Sequence, residues 1–271
     1  MGIHDMRPSR RIMVSRSSQP LYFNHNDQPV LAFIDAENTY SEHSISTSLA
    51  TIPFEDATPI RTVASWKGKN TYEGDYWSAT LRRHIHHESF LEREYLMDAD
   101  FDPHVVALQW QPFVLKWPRG TPKHRGHVPD FFVRFDDGDG KVIDVKRPDK
   151  VEANVRQFEM TQQICEQVGW GYDVFTGLPE PQASNITFLC GFRQDRYSPA
   201  SAHLAALLDA FTPETSLKTG IHRAARTTRL PKSLIHGHVL HLLWKQVLGI
   251  HVDTLLDMDS IVFAAHQVSS A

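Results

Sequence analysis

The stretch HVPDFFVRFDDGDGKVIDVKRP, from His127 to Pro148, constrains the fold more than any other part of the chain. Two apolar runs flank Asp137-Gly138-Asp139-Gly140. Acidic residues alternating with glycine are strong turn chemistry, so the pattern predicts an antiparallel hairpin. Side chains alternate faces along a strand. Asp144 and Lys146 therefore share one side with Val142, while Ile143 and Val145 take the other, apolar side. Asp130 follows Pro129 on the partner strand and is placed to meet Asp144 across the hairpin. Charges at such positions form either a solvated surface pair or part of a site.

The flanking segments supply context. HHESFLEREYLMDA, His86 to Ala99, spaces Phe90, Leu91, Tyr95 and Leu96 as one face of a helix, which Asp102-Pro103 ends. Glu88 and Glu92 lie one turn apart on it and point the same way. VVALQWQPFVLKW reads as an alternating strand broken by Pro112. After the hairpin, VEANVRQFEMTQQICEQVG repeats Val155, Phe158, Ile164 and Val168 at helical spacing, with Gly169 as C-cap. YDVFTG and NITFLCGF read as two further short strands. Helix, three strands, helix and strands predict an α/β domain with a mixed central sheet flanked by helices. Residues 51–197 form this domain. Residues 1–50, rich in Ser, Asn, His and Thr, read as a flexible arm with at most a short strand near Val30–Ile34. Residues 198–271, with SAHLAALLDAF, PKSLIHGHVLHLLWKQVLG and MDSIVFAA, read as a small helical C-terminal domain with a possible wing.

Composition narrows the classes. Hydrophobic residues make up 41% and charged residues 22% of the 271, both ordinary for a soluble globular protein. No apolar run approaches the 18 or more residues of a membrane helix. The basic N-terminal residues include no apolar stretch of a secretory signal, and the expectation is a cytoplasmic protein with no membrane partner. Cys165 and Cys190 are far apart in apolar surroundings and signal neither a zinc site nor a disulfide framework. The formal net charge of −4 does not advertise nucleic-acid binding, so local charge matters more.

Asp130, Asp144 and one of Glu88 or Glu92 would bring three carboxylates to one strand end. Such a hard-oxygen site suits Mg²⁺, or Mn²⁺ in its place, and the backbone carbonyl of Val145 can complete it. A metal there acidifies water and holds a phosphate oxygen. The ammonium of Lys146 offsets the charge that develops on phosphorus. These are the requirements for hydrolysing a phosphodiester. The order Glu92, Pro129-Asp130, Asp144-Val145-Lys146 is the pattern of the PD-(D/E)xK nuclease superfamily, whose fold is restriction-endonuclease-like.

A longer ordered series is more specific. Ser89 with Glu92, Phe101-Asp102-Pro103 with Val105, Gln111-Pro112, His127-Val128-Pro129-Asp130-Phe131 and Asp144-Val145-Lys146 resemble the TnsA-like family of heteromeric transposase endonuclease subunits. The resemblance extends upstream to YWSAT. Downstream it reaches HGHVLHLLWKQVLGIHVDTLLDMDSIVF, similar to the family's helical, winged-helix-like C-terminal part. It implies that Glu92, Asp130 and Asp144 bind a divalent metal and that Lys146 assists catalysis. Some relatives carry Gln where Asp144 stands. Glu92 follows Ser89 at the family's spacing, which favours it over Glu88. The implied activity is cleavage at the 5′ ends of a transposon. The implied partners are the transposon-end DNA, a TnsB-like DDE transposase and a TnsC-like AAA ATPase regulator. The rival readings are a standalone restriction or repair nuclease of the same superfamily and a catalytically silent DNA-binding assembly factor.

Several residues remain open. Gln109 and Gln111 share a strand face and line a cleft, touch DNA phosphate, or form an edge surface. His127 lies two residues before Pro129 and either touches substrate phosphate or makes a structural hydrogen bond. His84, His86 and His87 lack zinc spacing and read as polar residues leading into the helix. Trp66, Tyr72, Tyr76 and Trp77 stack on bases or belong to the core. From Lys218 to Lys245 no acidic residue occurs, and Lys218, Arg223, Arg226, Arg229, Lys232 and Lys245 make an electropositive segment for DNA phosphates or an acidic protein. Lys123, Arg125, Lys141, Lys146, Arg147 and Lys150 form a second basic set around the proposed site, where they would offset the repulsion of DNA by its carboxylates.

Overall fold

The computed structural model describes residues 27–61, 72–118, 120, 126–251 and 253–265. In chain order the strands are β1 (Val30–Ile34), β2 (Tyr40–Ser44), β3 (Gly74–Ser78), β4 (Arg83–His87), β5 (Val105–Trp110), β6 (Phe113–Lys116), β7 (Phe131–Phe135), β8 (Gly140–Val145), β9 (Gly171–Phe175), β10 (Thr215–Ser216), β11 (Leu248–Ile250) and β12 (Ile261–Ala264). The helices are α1 (Phe90–Phe101), α2 (Pro148–Val151), α3 (Val155–Val168), α4 (Gln182–Leu189), α5 (Ser201–Asp209), α6 (Leu217–Thr228) and α7 (Lys232–Trp244). The protein is mixed α/β with several sheets.

The central sheet has the order β5-β7-β8-β9. Its first three strands are antiparallel, and β9 runs parallel to β8 after the α3 crossover. The predicted hairpin is β7–β8, with Phe131 opposite Ile143 and Arg134 opposite Gly140. Gly138 sits in its turn at φ 92°, a left-handed conformation that costs glycine least. Period-two alternation divides the sheet between two cores. Phe131, Val133, Ile143 and Val145 face α1, α4 and the C-terminal helices. Phe132 and Val142 face α3 and an aromatic group in which Phe54 meets Phe33, Phe113, Phe132 and Trp170 edge-on.

The short strand expected near Val30–Ile34 is present as β1, and a second strand, β2, follows it. Val30 to Phe33 are buried, and β1 pairs with both β2 and β6. Arg134 fastens the following segment: its guanidinium donates to the carbonyls of Ala50 (3.3 Å) and Ile52 (3.1 Å) and to Glu55 (3.3 Å). The polar composition there reflects the exposed strand β2, which hides one apolar strand behind it. The run around Pro112 is not one interrupted strand. Gln111 adopts φ 43°, and the chain passes from β5 in the central sheet to β6 in the β2-β1-β6 sheet.

Two further expectations change. His84, His86 and His87 lie in β4, paired with β3, and α1 begins only at Phe90 after the Ser89 N-cap. NITFLCGF is helical, comprising most of α4 and a following 3₁₀ turn, because Ile186, Leu189 and Cys190 are buried at positions i, i+3 and i+4. The expected helix after the hairpin is present as α3, ending at Gly169.

The C-terminal segment runs α5, β10, α6, α7, β11, β12, with a small sheet of order β10-β12-β11. It shares one continuous core with α1 and α4. Phe101 on α1 meets Trp244 on α7 with ring centroids 5.2 Å apart. Gly220 faces the Phe211 ring so closely that a Cβ there would lie 2.0 Å from it. Cys165 and Cys190 are free, buried thiols.

Asp100, near the end of α1, is buried and accepts from Ser78 Oγ (2.7 Å), Tyr76 Oη (2.9 Å), Thr80 N (2.9 Å) and Ala79 N (3.0 Å). The YWSAT segment is therefore a socket for this carboxylate, and Tyr76 is core. Asp100→Ala leaves these buried donors unpaired and should destabilise the fold by about 3 kcal/mol. Urea unfolding measures the loss, which should exceed that of Ser78→Ala.

Candidate active site

The candidate site lies where β7 begins and β8 ends. The ladder stops at the Phe131–Ile143 pair, one residue after Asp130. The Asp130 carbonyl accepts from Gln111 N (2.9 Å), and its Oδ2 accepts from Val145 N (2.7 Å). A side chain thus makes the next rung of the hairpin and is held beside β8. The backbone N–H of Val145, rather than its carbonyl, is the group tied to this carboxylate.

Asp144 is almost wholly buried, with 2% of its surface exposed. It points to the α3 side of the sheet, as Val142 does, where Tyr172 Oη donates to its Oδ2 at 2.6 Å. His127 Nε2 lies 2.9 Å from the same carboxylate. Gln157 Nε2, from α3, lies 2.7 Å from His127 Nδ1. Burial and the Asp144 charge push the Tyr172 hydroxyl far above the ordinary tyrosine range, so it stays a donor. Of the two readings of His127, the hydrogen-bonding one is observed.

Glu92 belongs to the first turn of α1. Its Oε1 accepts from Ser89 Oγ (2.9 Å) and its Oε2 from Glu88 N (2.7 Å), while Glu92 N donates to Ser89 Oγ (3.1 Å). The Ser-x-x-Glu spacing thus works as a capping box whose carboxylate reaches one residue further back, to Glu88 N–H, besides the Ser89 hydroxyl. Burial raises the Glu92 carboxyl above its ordinary value, the two hydrogen bonds and Arg61 pull it down, and Glu88 pushes it up. Arg61, which the sequence did not single out, also donates to Gln111 Oε1 at 3.2 Å. Gln111 and Gln109 are both buried, and Gln109 Nε2 donates to Ala57 O, so neither forms the expected edge or cleft surface.

Burial first, then the charges of Asp144 and Glu92, push the Asp130 carboxyl up to about 8, against opposition from Val145 N–H and Lys146. Asp144 and Glu92 therefore each lie within electrostatic reach of Asp130. Lys146 is half-buried just past β8, where its backbone N donates to Phe175 O (2.9 Å). The remaining basic residues divide. Arg147 is exposed and paired with Asp149 (3.0 Å). Lys141 lies over the Phe135 ring, in a cavity on the opposite face with Asp98, Asp102 and Asp173, away from Asp144. Lys123, Arg125 and Trp66 lie outside the described residues. Arg223, Arg226, Arg229 and Lys232 are exposed on α6, at its C-terminal end and at the start of α7.

The oxygen-only donor set, with repulsion concentrated on Asp130, fits a hard divalent cation. Among the described residues, however, no group of three or more His, Cys, Asp or Glu side chains is arranged to hold a metal ion as it stands. The Glu92 carboxylate is turned back to its own helix cap.

An Asp whose folded pKa is raised loses stability as pH climbs from its unfolded value, about 4, to its folded value. In chelator, Asp130→Asn should therefore be more stable than the parent at pH 8, by at least about 1 kcal/mol, with the difference closing near pH 4. Thermal melts across that range check this.

No curated protein matches the chain by sequence. Residues 102–177 match the family described as TnsA-like endonuclease N terminal. The matched span contains Asp130, Asp144, Lys146, His127, Gln157 and Tyr172, and Glu92 stands ahead of it. Over residues 102–177, less than half of the 271, the chain is thus similar to the TnsA-like endonuclease N-terminal domain.

Proposed function

We propose that the protein is a metal-dependent DNA endonuclease subunit of a heteromeric transposase, cutting at the 5′ ends of a transposon. The observation that carries this reading is the meeting of Asp130, Asp144 and Lys146 at one end of the β7–β8 hairpin, within a span that matches a TnsA-like endonuclease domain. Two topological facts support the finer fold. The order α1, β5, β7, β8, α3, β9, with β8 and β9 parallel, suits a restriction-endonuclease-like core. The order α5, β10, α6, α7, β11, β12 suits a winged helix.

Asp130 and Asp144 would hold the cation, with Glu92 joining once its carboxylate leaves the cap. When bound, Mg²⁺ or Mn²⁺ supplies Lewis acidity to water and to the phosphate. Lys146 places a positive charge where the scissile phosphate gains negative charge. Asp130 sits between two backbone partners that fix its orientation before substrate arrives.

The face of α6 opposite its buried residues Leu217, Gly220, Ile221 and Ala224 exposes Lys218, His222, Arg223 and Arg226. α7, the recognition helix in a winged-helix order, is buried from His238 to Trp244, which leaves only its first turns to face a partner. The basic face of α6, with Arg229 and Lys232 beside it, is the better surface for DNA phosphates. A TnsB-like transposase and a TnsC-like ATPase complete the proposed assembly.

Lys146→Ala should cut strand cleavage by at least about 10²-fold while DNA binding stays near the parent's, because the ammonium acts on the developing charge. The measurement is 5′-end cleavage in the reconstituted system; undiminished cleavage sinks the assignment, and cleavage without partners favours the standalone nuclease. The Arg223→Ala/Arg226→Ala double variant should weaken binding about equally across DNA sequences. It should also flatten the log-affinity against log-salt line by about one unit for each phosphate no longer neutralised. An unchanged slope in fluorescence anisotropy titrations assigns α6 to a protein partner instead.

A further inference from the structure

Asp144 is held from two directions by residues on separate elements. Tyr172 rises from β9, parallel to β8, and His127 comes from the segment ahead of β7. The His127 backbone is itself fixed: its N donates to Leu115 O (2.8 Å), and its O accepts from Leu115 N (2.7 Å). Gln157 reaches across from α3 to His127 Nδ1. With the amide donating to Nδ1, the imidazole carries its proton on Nε2 and donates it to Asp144. The carboxylate cannot rotate without breaking two hydrogen bonds in a buried setting, where each is costly to lose.

A buried carboxylate and its donors are a poor way to gain stability, since apolar groups of similar volume commonly do as well. Such a network suits a group whose direction matters. Carboxylates that bind metals are in turn hydrogen-bonded by neighbours that set their orientation. We propose that Gln157, His127 and Tyr172 are positioning residues that fix the Asp144 carboxylate toward a divalent cation shared with Asp130. This rests on the metal-dependent reading of the site above. The three act through Asp144 and touch neither substrate nor cation.

The test titrates Mn²⁺ into the full chain without DNA and counts free Mn²⁺ by electron paramagnetic resonance. Melting in chelator is followed alongside. Tyr172→Phe keeps the ring and removes only the hydroxyl. It and His127→Ala should each weaken Mn²⁺ binding by about 10- to 100-fold. His127→Gln, which keeps a donor at the Nε2 position, should recover most of that loss. In an Asp144→Asn background, Tyr172→Phe should add nothing. If Tyr172→Phe and His127→Ala shift only the melting temperature and leave Mn²⁺ affinity at the parent's value, the positioning role is overturned while the site stands. If Asp144→Asn itself leaves Mn²⁺ affinity unchanged, the metal-ligand reading of Asp144 fails and the proposal fails with it. Should Asp144→Asn not fold, Tyr172→Phe, nearly isosteric, decides the question alone.

Discussion

The last rung of the β7–β8 hairpin is made by a carboxylate. Asp130 commits one oxygen to Val145 N–H and its backbone carbonyl to Gln111 N–H, and so binds three strands' ends at one point. Nearby features follow from that junction. Gln111 bends at positive φ to reach it, which sends the chain from the central sheet into the β2-β1-β6 sheet. Val145 N–H is brought beside Asp130, which leaves Asp144 on the α3 side of β8 within electrostatic reach of Asp130, and Lys146 just past the strand end. The same carboxyl makes the rung and bears the repulsion of its acidic neighbours, which makes the junction sensitive to charge.

The parts legible in sequence are those fixed by short-range rules. The hairpin follows from strand alternation and its Asp-Gly turn. α3 follows from apolar spacing and Gly169. The placement of Asp130, Asp144 and Lys146 at one end of the hairpin follows from the same strand rules. The capping box at Ser89 and Glu92 is equally local, yet its meaning changes in the fold, because the carboxylate that the motif offers to a metal is also the helix's own cap.

What was not legible depends on partners far along the chain. Nothing local distinguishes Tyr172 within its strand, because its partner Asp144 is met only when β9 pairs with β8. Gln157 is one polar residue of a helix whose partner, His127, comes from thirty residues upstream. Asp100 had no visible partner because its socket, Tyr76 to Thr80, is some twenty residues upstream. Strand β1 was legible at Val30–Ile34, but its pairing with β2 and β6 was not, because the partners are a polar exposed strand and one some eighty residues away. NITFLCGF misled because a short apolar run carries no length with which to separate helix from strand.

Helix α1 joins the two ends of this molecule. Its first turn holds Glu92 against Ser89, and its last residue, Phe101, packs on Trp244 and accepts from Gln246 Nε2 at 2.9 Å. Twelve residues of helix span about 18 Å and bend little over that distance. The helix is a shaft seated at both ends, so the Glu92 cap and the Phe101–Trp244 packing are carried by one rigid element.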